Sequence, residues 1–167
     1  PADANRIDDA EHALAGGGDG RSCQCQWWTM TNAEWQNTTQ AQRAELLHTE
    51  MAQTPAPALI AYVDGQAAGW VRVGPRTAQI RLARTREFNE HSPHPFDDPS
   101  VWAVTCFVVR KEFRGQGLTT RLLTAAVDYS VPAEPRLVRL RAQWADIWDS
   151  LAAAASGGVV DTSTVTL

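Results

Sequence analysis

The sequence predicts a single α/β domain, an α+β mixed sheet with mostly antiparallel strands, and three observations carry that prediction. The chain has 167 residues, 44% hydrophobic and 20% charged, which suits one compact unit able to bury a real core. Two β-rich runs, ALIAYV and AAGWVRV, flank Asp64-Gly65, the strongest hairpin signal a short stretch gives. A third run, VWAVTCFVV, stops at Arg110 and passes through a glycine-spaced turn, Arg114-Gly115-Gln116-Gly117, into an apolar helical pattern.

Taken in order, residues 1–21 are polar and hold the run Gly16-Gly17-Gly18, so they read as a flexible N-terminal segment or a short helix with a flexible lead. The single domain is then 22–167. From Ser22, Cys23, Cys25 and Trp27 alternate with Ser22, Gln24 and Gln26, which predicts a half-buried strand. Two capping boxes follow, Thr31-x-x-Glu34 and Thr39-x-x-Gln42. The second opens a helix with Ala44, Leu47 and Met51 on its apolar side, and Pro55-Ala56-Pro57 ends it. After the hairpin, 79–83 extends the meander and 84–100 forms a long loop holding Pro93, Pro95 and Pro99, of the kind that is functional or mobile in compact domains. Strand 101–109 and helix 117–130 come next. Beyond Pro132 and Pro135, 136–141 reads as a strand, and Trp144, Ile147, Trp148 and Leu151 mark one face of a helix over 142–156. Gly157-Gly158 closes that helix, and 159–167 is a terminal strand.

Charge and cysteine usage narrow the partners. A net charge of −4 and a pI near 5.5, with Lys111 the only lysine, predict no nucleic-acid role, because a polyanion binder shows a basic face. No run approaches the roughly 18 apolar residues that span a bilayer, and no leader opens the chain, so no membrane partner and a cytoplasmic location are expected. Three cysteines, an odd number, fit thiols in a reducing compartment.

The turn at 114–117 carries the chemistry. Its glycines let backbone N–H groups point inward, and the first turn of the helix behind it leaves about four amides outside its own ladder, a place for phosphate. A P-loop needs Lys and Ser or Thr after its last glycine, and Leu118 and Thr119 stand there instead. A dinucleotide fingerprint needs a third glycine, and Thr120 holds that position. What remains is Arg-x-x-Gly-x-(Gly/Ala) after a strand.

On the residues Phe107-Val108-Val109, Arg110 to Phe113, Arg114-Gly115-Gln116-Gly117-Leu118-Thr119 and Arg121-Leu122-Leu123, the chain resembles the GCN5-related N-acetyltransferase (GNAT) family. The likeness is sharp over 23–123 and topological after Pro132. It implies an acyl-CoA N-acyltransferase fold: a central, mostly antiparallel twisted sheet flanked by helices, with strand 101–109 splayed from the strand at 136–141. It also implies acetyl-CoA as cofactor and an amine as acceptor. The strand residues Phe107, Val108 and Val109 would bond the pantetheine arm, and Arg114, Gly115, Gln116, Gly117, Leu118 and Thr119 would hold the pyrophosphate. Thr119 departs from the family, which prefers Gly or Ala there. With about nine residues after the last helix, one strand of the family's terminal hairpin is accounted for, so a partner chain in a homodimer is a candidate source of the other.

Amine attack on a thioester needs a base and gains from an acid at the departing thiol. The family often uses a carboxylate on the central strand, but Val101 to Cys106 contains none. The nearest acids are Glu87, Glu90, Asp97 and Asp98 in the preceding loop, of which Asp98 or Asp97, acting through water while attracting a cationic amine, is the catalytic candidate; solvated loop charge is the alternative. The Tyr that the family places on the helix after 136–141 is absent. An alternative function is an acyl-CoA-binding or sensor module without catalysis. Cys23 and Cys25 with His91 and His94 are read as buried thiols and surface histidines, and no metal is predicted. Cys106 reads as a packed strand cysteine, a nucleophile being the alternative. Among Trp27, Trp28, Trp35, Trp70 and Trp102, one or two are expected to wall the acceptor cleft.

Overall fold

The computed structural model describes residues 1–130 and the strands Arg136–Val138 and Val165–Thr166, with Glu87 and His91 described by their backbone only. Among these residues five strands form one sheet: β1 (Ala58–Val63), β2 (Gln66–Pro75), β3 (Val101–Val109), β4 (Arg136–Val138) and β5 (Val165–Thr166), in the order β4-β3-β2-β1-β5. Three of the four pairings are antiparallel, and β3 with β4 is parallel. The mixed, mostly antiparallel sheet that the sequence predicts is therefore the architecture found.

The β1–β2 hairpin turns on Asp64 (φ 50°) and Gly65 (φ 77°), the two left-handed residues of a type I′ turn, which matches strand twist. One face of the sheet packs α1 (Ile7–Leu14) and α3 (Gln40–Met51): Ala10, Ala13, Leu14, Leu47 and Met51 meet Ile60, Trp70 and Val108. The other face packs α6 (Leu118–Ser130), whose Leu118, Leu122 and Ala126 meet Leu59, Val71, Val73 and Val104. Both capping boxes form as read, Thr31 opening the short α2 (Asn32–Asn37) and Thr39 opening α3.

Three sequence expectations give way. The stretch from Ser22 is not a strand: a four-residue helical turn, Gly20–Cys23, leads into Gln24 and Cys25, both left-handed at φ 49° and 57°. The apparent alternation failed because Gln24, Cys25 and Gln26 are all buried while Trp27 is 38% exposed, so polar and apolar residues do not separate into faces. The segment 79–83 does not extend the sheet either; it leads into α4 (Arg81–Arg84), and α5 (Arg86–His91) follows inside the predicted loop. The buried Gln79 donates to the Ala103 carbonyl at 3.0 Å and accepts from Thr105 Oγ1 at 2.5 Å, a side-chain bridge where a strand ladder was expected.

The third correction concerns residues 1–21. The short helix read there forms as α1, but the segment is packed onto the domain: Ala2, Ala10, Ala13 and Leu14 are fully buried, and the Ala2 N–H donates to the Ala58 carbonyl at 2.8 Å. Gly16 permits a close approach. A Cβ on Gly16 would overlap the Cβ, Cγ and Cα of Arg110, so only glycine lets the chain pass there. The predicted helix 142–156, and the remainder of the strands around 136–141 and 159–167, lie outside the described residues, as does the partner side of the expected splay.

Candidate active site

β3 and the loop behind it form the centre of the site. β3 follows β2 in register from Trp102 opposite Pro75 to Val109 opposite Gly69, with one slip, where Cys106 faces Arg72 and Val104 faces Val73. Thr105 is the extra residue, a β-bulge that reverses the alternation. Trp102 and Val104 therefore face α6, as do Phe107 and Val109 further on, whereas Cys106 and Val108 face α1 and α3. Gln79 clasps this bulge from both ends. No sequence motif announces such a bridge; a lone glutamine between two short turns carries no signal.

Among the described residues β4 pairs with β3 only over Val101–Ala103, so the β3 edge from Val104 onward extends past that pairing. The chain then makes a 3-10 turn, Lys111–Phe113, and reaches Gly115 (φ 76°) and Gly117 (φ 71°). Both glycines occupy the left-handed region that a Cβ disfavours, and a Cβ at either would meet nothing within 4 Å. The space beside both glycines is thus open, and Arg114, Gly115, Gln116 and Gly117 are exposed. The α6 ladder begins with the Arg121 N–H donating to the Gly117 carbonyl at 3.2 Å. The amides of Leu118, Thr119 and Thr120 consequently have no partner within the helix, and they carry the positive end of its dipole. Leu118 itself is 2% exposed and serves as a core anchor, so its contribution to a ligand is its backbone.

The loop is braced from the N-terminal side. Lys111 N–H donates to the Gly16 carbonyl at 3.3 Å, and Arg110 Nη1 donates to the His12 carbonyl at 2.6 Å. Arg114 Nε donates to the Val109 carbonyl at 3.1 Å, which folds its guanidinium back over the strand end beside Gly17. Sequence reading missed this brace because a glycine run looks like a linker until the surface it passes is known.

The catalytic candidates lie at the head of β3. Asp98 Oδ1 accepts both the Ser100 N–H at 2.9 Å and the Ser100 hydroxyl at 2.6 Å, capping the entry to the strand, while Asp97 is exposed. Arg76 organises the same loop. Only 1% exposed, it donates to Ser92 Oγ at 2.8 Å and to the His94 and Pro95 carbonyls, and stacks 4.3 Å from the Phe96 ring centre. Burial lowers its pKa, and the charges of Asp98 and Asp97 oppose that shift. The two carboxylates thus sit in the field of an arginine.

A second charged pair lies across the sheet. Arg72, 3% exposed, grips Glu50 with both guanidinium nitrogens, Nη1 at 3.0 Å and Nη2 at 2.8 Å, and Gln26 Nε2 donates to the same carboxylate at 2.9 Å. Burial alone would lower the pKa of Arg72; Cys25 and Glu50 beside it raise it instead. Arg72 and Glu50 line a cleft of about 160 Å³ together with Gly74, Pro75, Ala78 and Gln79.

Among the described residues, Trp27 and Trp35 already carry a cation on their rings. Arg81 stacks 3.7 Å from the ring centre of Trp27 and Arg43 3.6 Å from that of Trp35, while Trp27 and Trp35 meet edge to face at 5.0 Å. Trp70 is fully buried, Trp102 nearly so, and Trp28 leans on Phe88. Among the described residues no group of three or more His, Cys, Asp and Glu is placed to hold a metal ion, and no helix is long and apolar enough to cross a membrane.

Among the described residues, β3 thus runs past its pairing with β4 into a glycine loop at the N-terminus of α6. The sequence profile of the acetyltransferase (GNAT) family matches residues 24–142, and the chain belongs to that family; it is an N-acetyltransferase by class. No curated protein matches the chain. Among solved structures, it is similar to an acetyltransferase with a TM-score of 0.50 at 18% identity, covering 94% of this chain and 87% of that one. An apo aminoglycoside antibiotic 6'-N-acetyltransferase from Acinetobacter haemolyticus gives 0.46 at 19% identity, covering 83% and 92%. AAC(6')-Iy in complex with the bisubstrate analog CoA-S-monomethyl-acetylneamine gives 0.49 at 15% identity, covering 96% and 90%.

Proposed function

We propose that this protein moves an acetyl group from acetyl-CoA to an amine by direct attack. The observation that carries the reading is the open cradle before α6: two left-handed glycines and three helix-start amides in an exposed loop. The fit is good on electrostatic grounds. A pyrophosphate would meet the amides of Gly115 to Thr120, with the Thr119 hydroxyl as a further donor and Arg114 as a nearby cation. The backbone of Phe107, Val108 and Val109, on the β3 edge beyond its pairing with β4 among the described residues, would bond the amides of the pantetheine arm. When bound, acetyl-CoA supplies an activated thioester carbonyl.

The chain's own residues then orient and desolvate. The bulge at Thr105, held by Gln79, fixes the level along β3 at which backbone groups face the donor. The amine must lose a proton before it attacks. In this reading Asp97 is the acid that relays that proton through water and draws the cationic acceptor toward the head of β3, and Asp98, committed to Ser100, holds the strand entry while adding to the field.

A screen of small amines and lysine-bearing peptides, following release of the CoA thiol, tests the proposal. Release above the amine-free rate with at least one acceptor supports transfer. One observation favours a second reading, an acyl-CoA-binding module: β3 carries no acidic residue from Val101 to Val109. Saturable binding of acetyl-CoA with no thiol release from any acceptor would select that module instead.

A further inference from the structure

Two buried thiols meet on the α1–α3 face of the sheet, and acetyl transfer uses neither. Cys25 is 1% exposed, and Cys106 is half-buried. Their meeting follows from the sheet register. Trp70 and Arg72 are alternate residues of β2; Trp70 Nε1 donates to Cys25 Sγ at 3.1 Å, and Arg72 Nη1 donates to the Cys25 carbonyl at 3.2 Å. Arg72 is also the cross-strand partner of Cys106. Cys25 is thus laid over β2 beside Cys106, which packs against the same buried cluster.

The electrostatics of the pair are unequal. Burial would raise the Cys25 thiol, but the hydrogen bond from Cys106, the charge of Arg72 and the Trp70 N–H together hold it below the ordinary thiol value. Cys106 is pushed well above that value by its bond to Cys25 and by its own burial. One sulfur is therefore the nucleophile and its neighbour the proton-bearing partner, the division that thiol oxidation needs. Arg72 touches Cys25 on one side and lines the solvent-open cleft on the other, so a small oxidant in the cleft is one guanidinium away.

We infer that Cys25 and Cys106 form a reversible disulfide in response to a hydroperoxide, with Cys25 attacking and Cys106 resolving. The Cys25 thiolate displaces hydroxide from hydrogen peroxide, breaking the O–O bond and becoming a sulfenic acid. The Cys106 sulfur then attacks the sulfenic sulfur; the S–S bond forms, the S–O bond breaks, and water leaves with the Cys106 proton. Two thiols are oxidised by two electrons, and one peroxide becomes two waters. The bond ties the 24–26 turn to β3 one residue before Phe107.

The test uses the full chain treated with a small excess of hydrogen peroxide, unfolded in iodoacetamide and weighed intact. The reduced chain takes three labels, one per cysteine, and the oxidised chain is expected to take one. Tryptic digestion should link the peptide 22–43 to the peptide 87–110, with fragmentation placing the bond at Cys25, and dithiothreitol should restore three labels. Three labels after peroxide, a bond at Cys23, a link between chains, or added oxygen without a bond would each overturn the inference. Cys23→Ser should leave the bond unchanged, with two labels on the reduced chain and none on the oxidised one. Cys106→Ser should leave a dimedone-reactive Cys25; should that variant not fold, the peptide map of the unaltered chain decides alone.

Discussion

Gly16 lies against Arg110 with no room for a side chain: a Cβ there would stand 2.7 Å from Arg110 Cβ and 2.8 Å from its Cα, with the Gly16 carbonyl bonded to the next residue's N–H. The N-terminal segment thereby becomes a wall of the loop that leads to Gly115 and Gly117. Gly16→Val should force the segment off the strand end, as overpacking does at a cost of about 1–3 kcal/mol. Urea unfolding should show the loss, and the acetyl-CoA KM should rise more than kcat falls. Unchanged stability would show that the segment is only laid on the surface.

The Arg72–Glu50 pair makes a second prediction. Removing one partner of a buried pair leaves the other uncompensated, a loss of about 3–5 kcal/mol. Glu50 keeps 26% of its side chain exposed while Arg72 keeps 3%, so Glu50→Ala should fall at the lower end, about 3 kcal/mol. Replacing both, Arg72→Met with Glu50→Leu, should recover much of that loss. A double variant as unstable as the sum of the two singles would contradict a coupled pair.

The tyrosines supply a pH prediction. The chain has two, Tyr62 and Tyr129, and both titrate above the ordinary value of 10. Burial is the main cause in each; the Tyr62 hydroxyl also donates to Asp9 at 2.5 Å. A raised folded pKa favours the neutral form, so this contribution to stability is complete below pH 10 and fades as pH climbs through the folded values. Phenolate absorbance at about 295 nm should rise with a midpoint above 10 in the folded chain and return to about 10 in denaturant. A folded midpoint at or below 10 would count against the packing of both rings.

Much of this fold is legible in residues whose signals are local. Asp64-Gly65 demands its turn, Thr31 and Thr39 cap the helices that follow them, and strand 101–109 is found with the bounds read from its β-branched run. The failures come from contacts between distant segments. Gln26 looks solvent-facing until Glu50 is brought to it, and Gly16 looks flexible until Arg110 passes beside it. The glycine cradle was legible because its chemistry is backbone chemistry, dictated by φ and by a helix start. Asp97 and Asp98 were visible only as acids near a strand; the engagement of Asp98 with Ser100 and the field of Arg76 on both depend on how a loop of three prolines closes, which no spacing encodes.

Calorimetric titration of the full chain with acetyl-CoA, beside Gly117→Val, tests the central claim most directly. At φ 71° a β-branched residue would distort the cradle, and its side chain would enter the open space where the pyrophosphate is proposed to sit. The unaltered chain should bind with one site and a dissociation constant on the order of 1–100 μM, and the variant should bind at least roughly tenfold more weakly, about 1.4 kcal/mol, with its circular dichroism preserved. No heat from the unaltered chain at high micromolar acetyl-CoA, or equal affinity in the variant, would contradict the assignment of this loop.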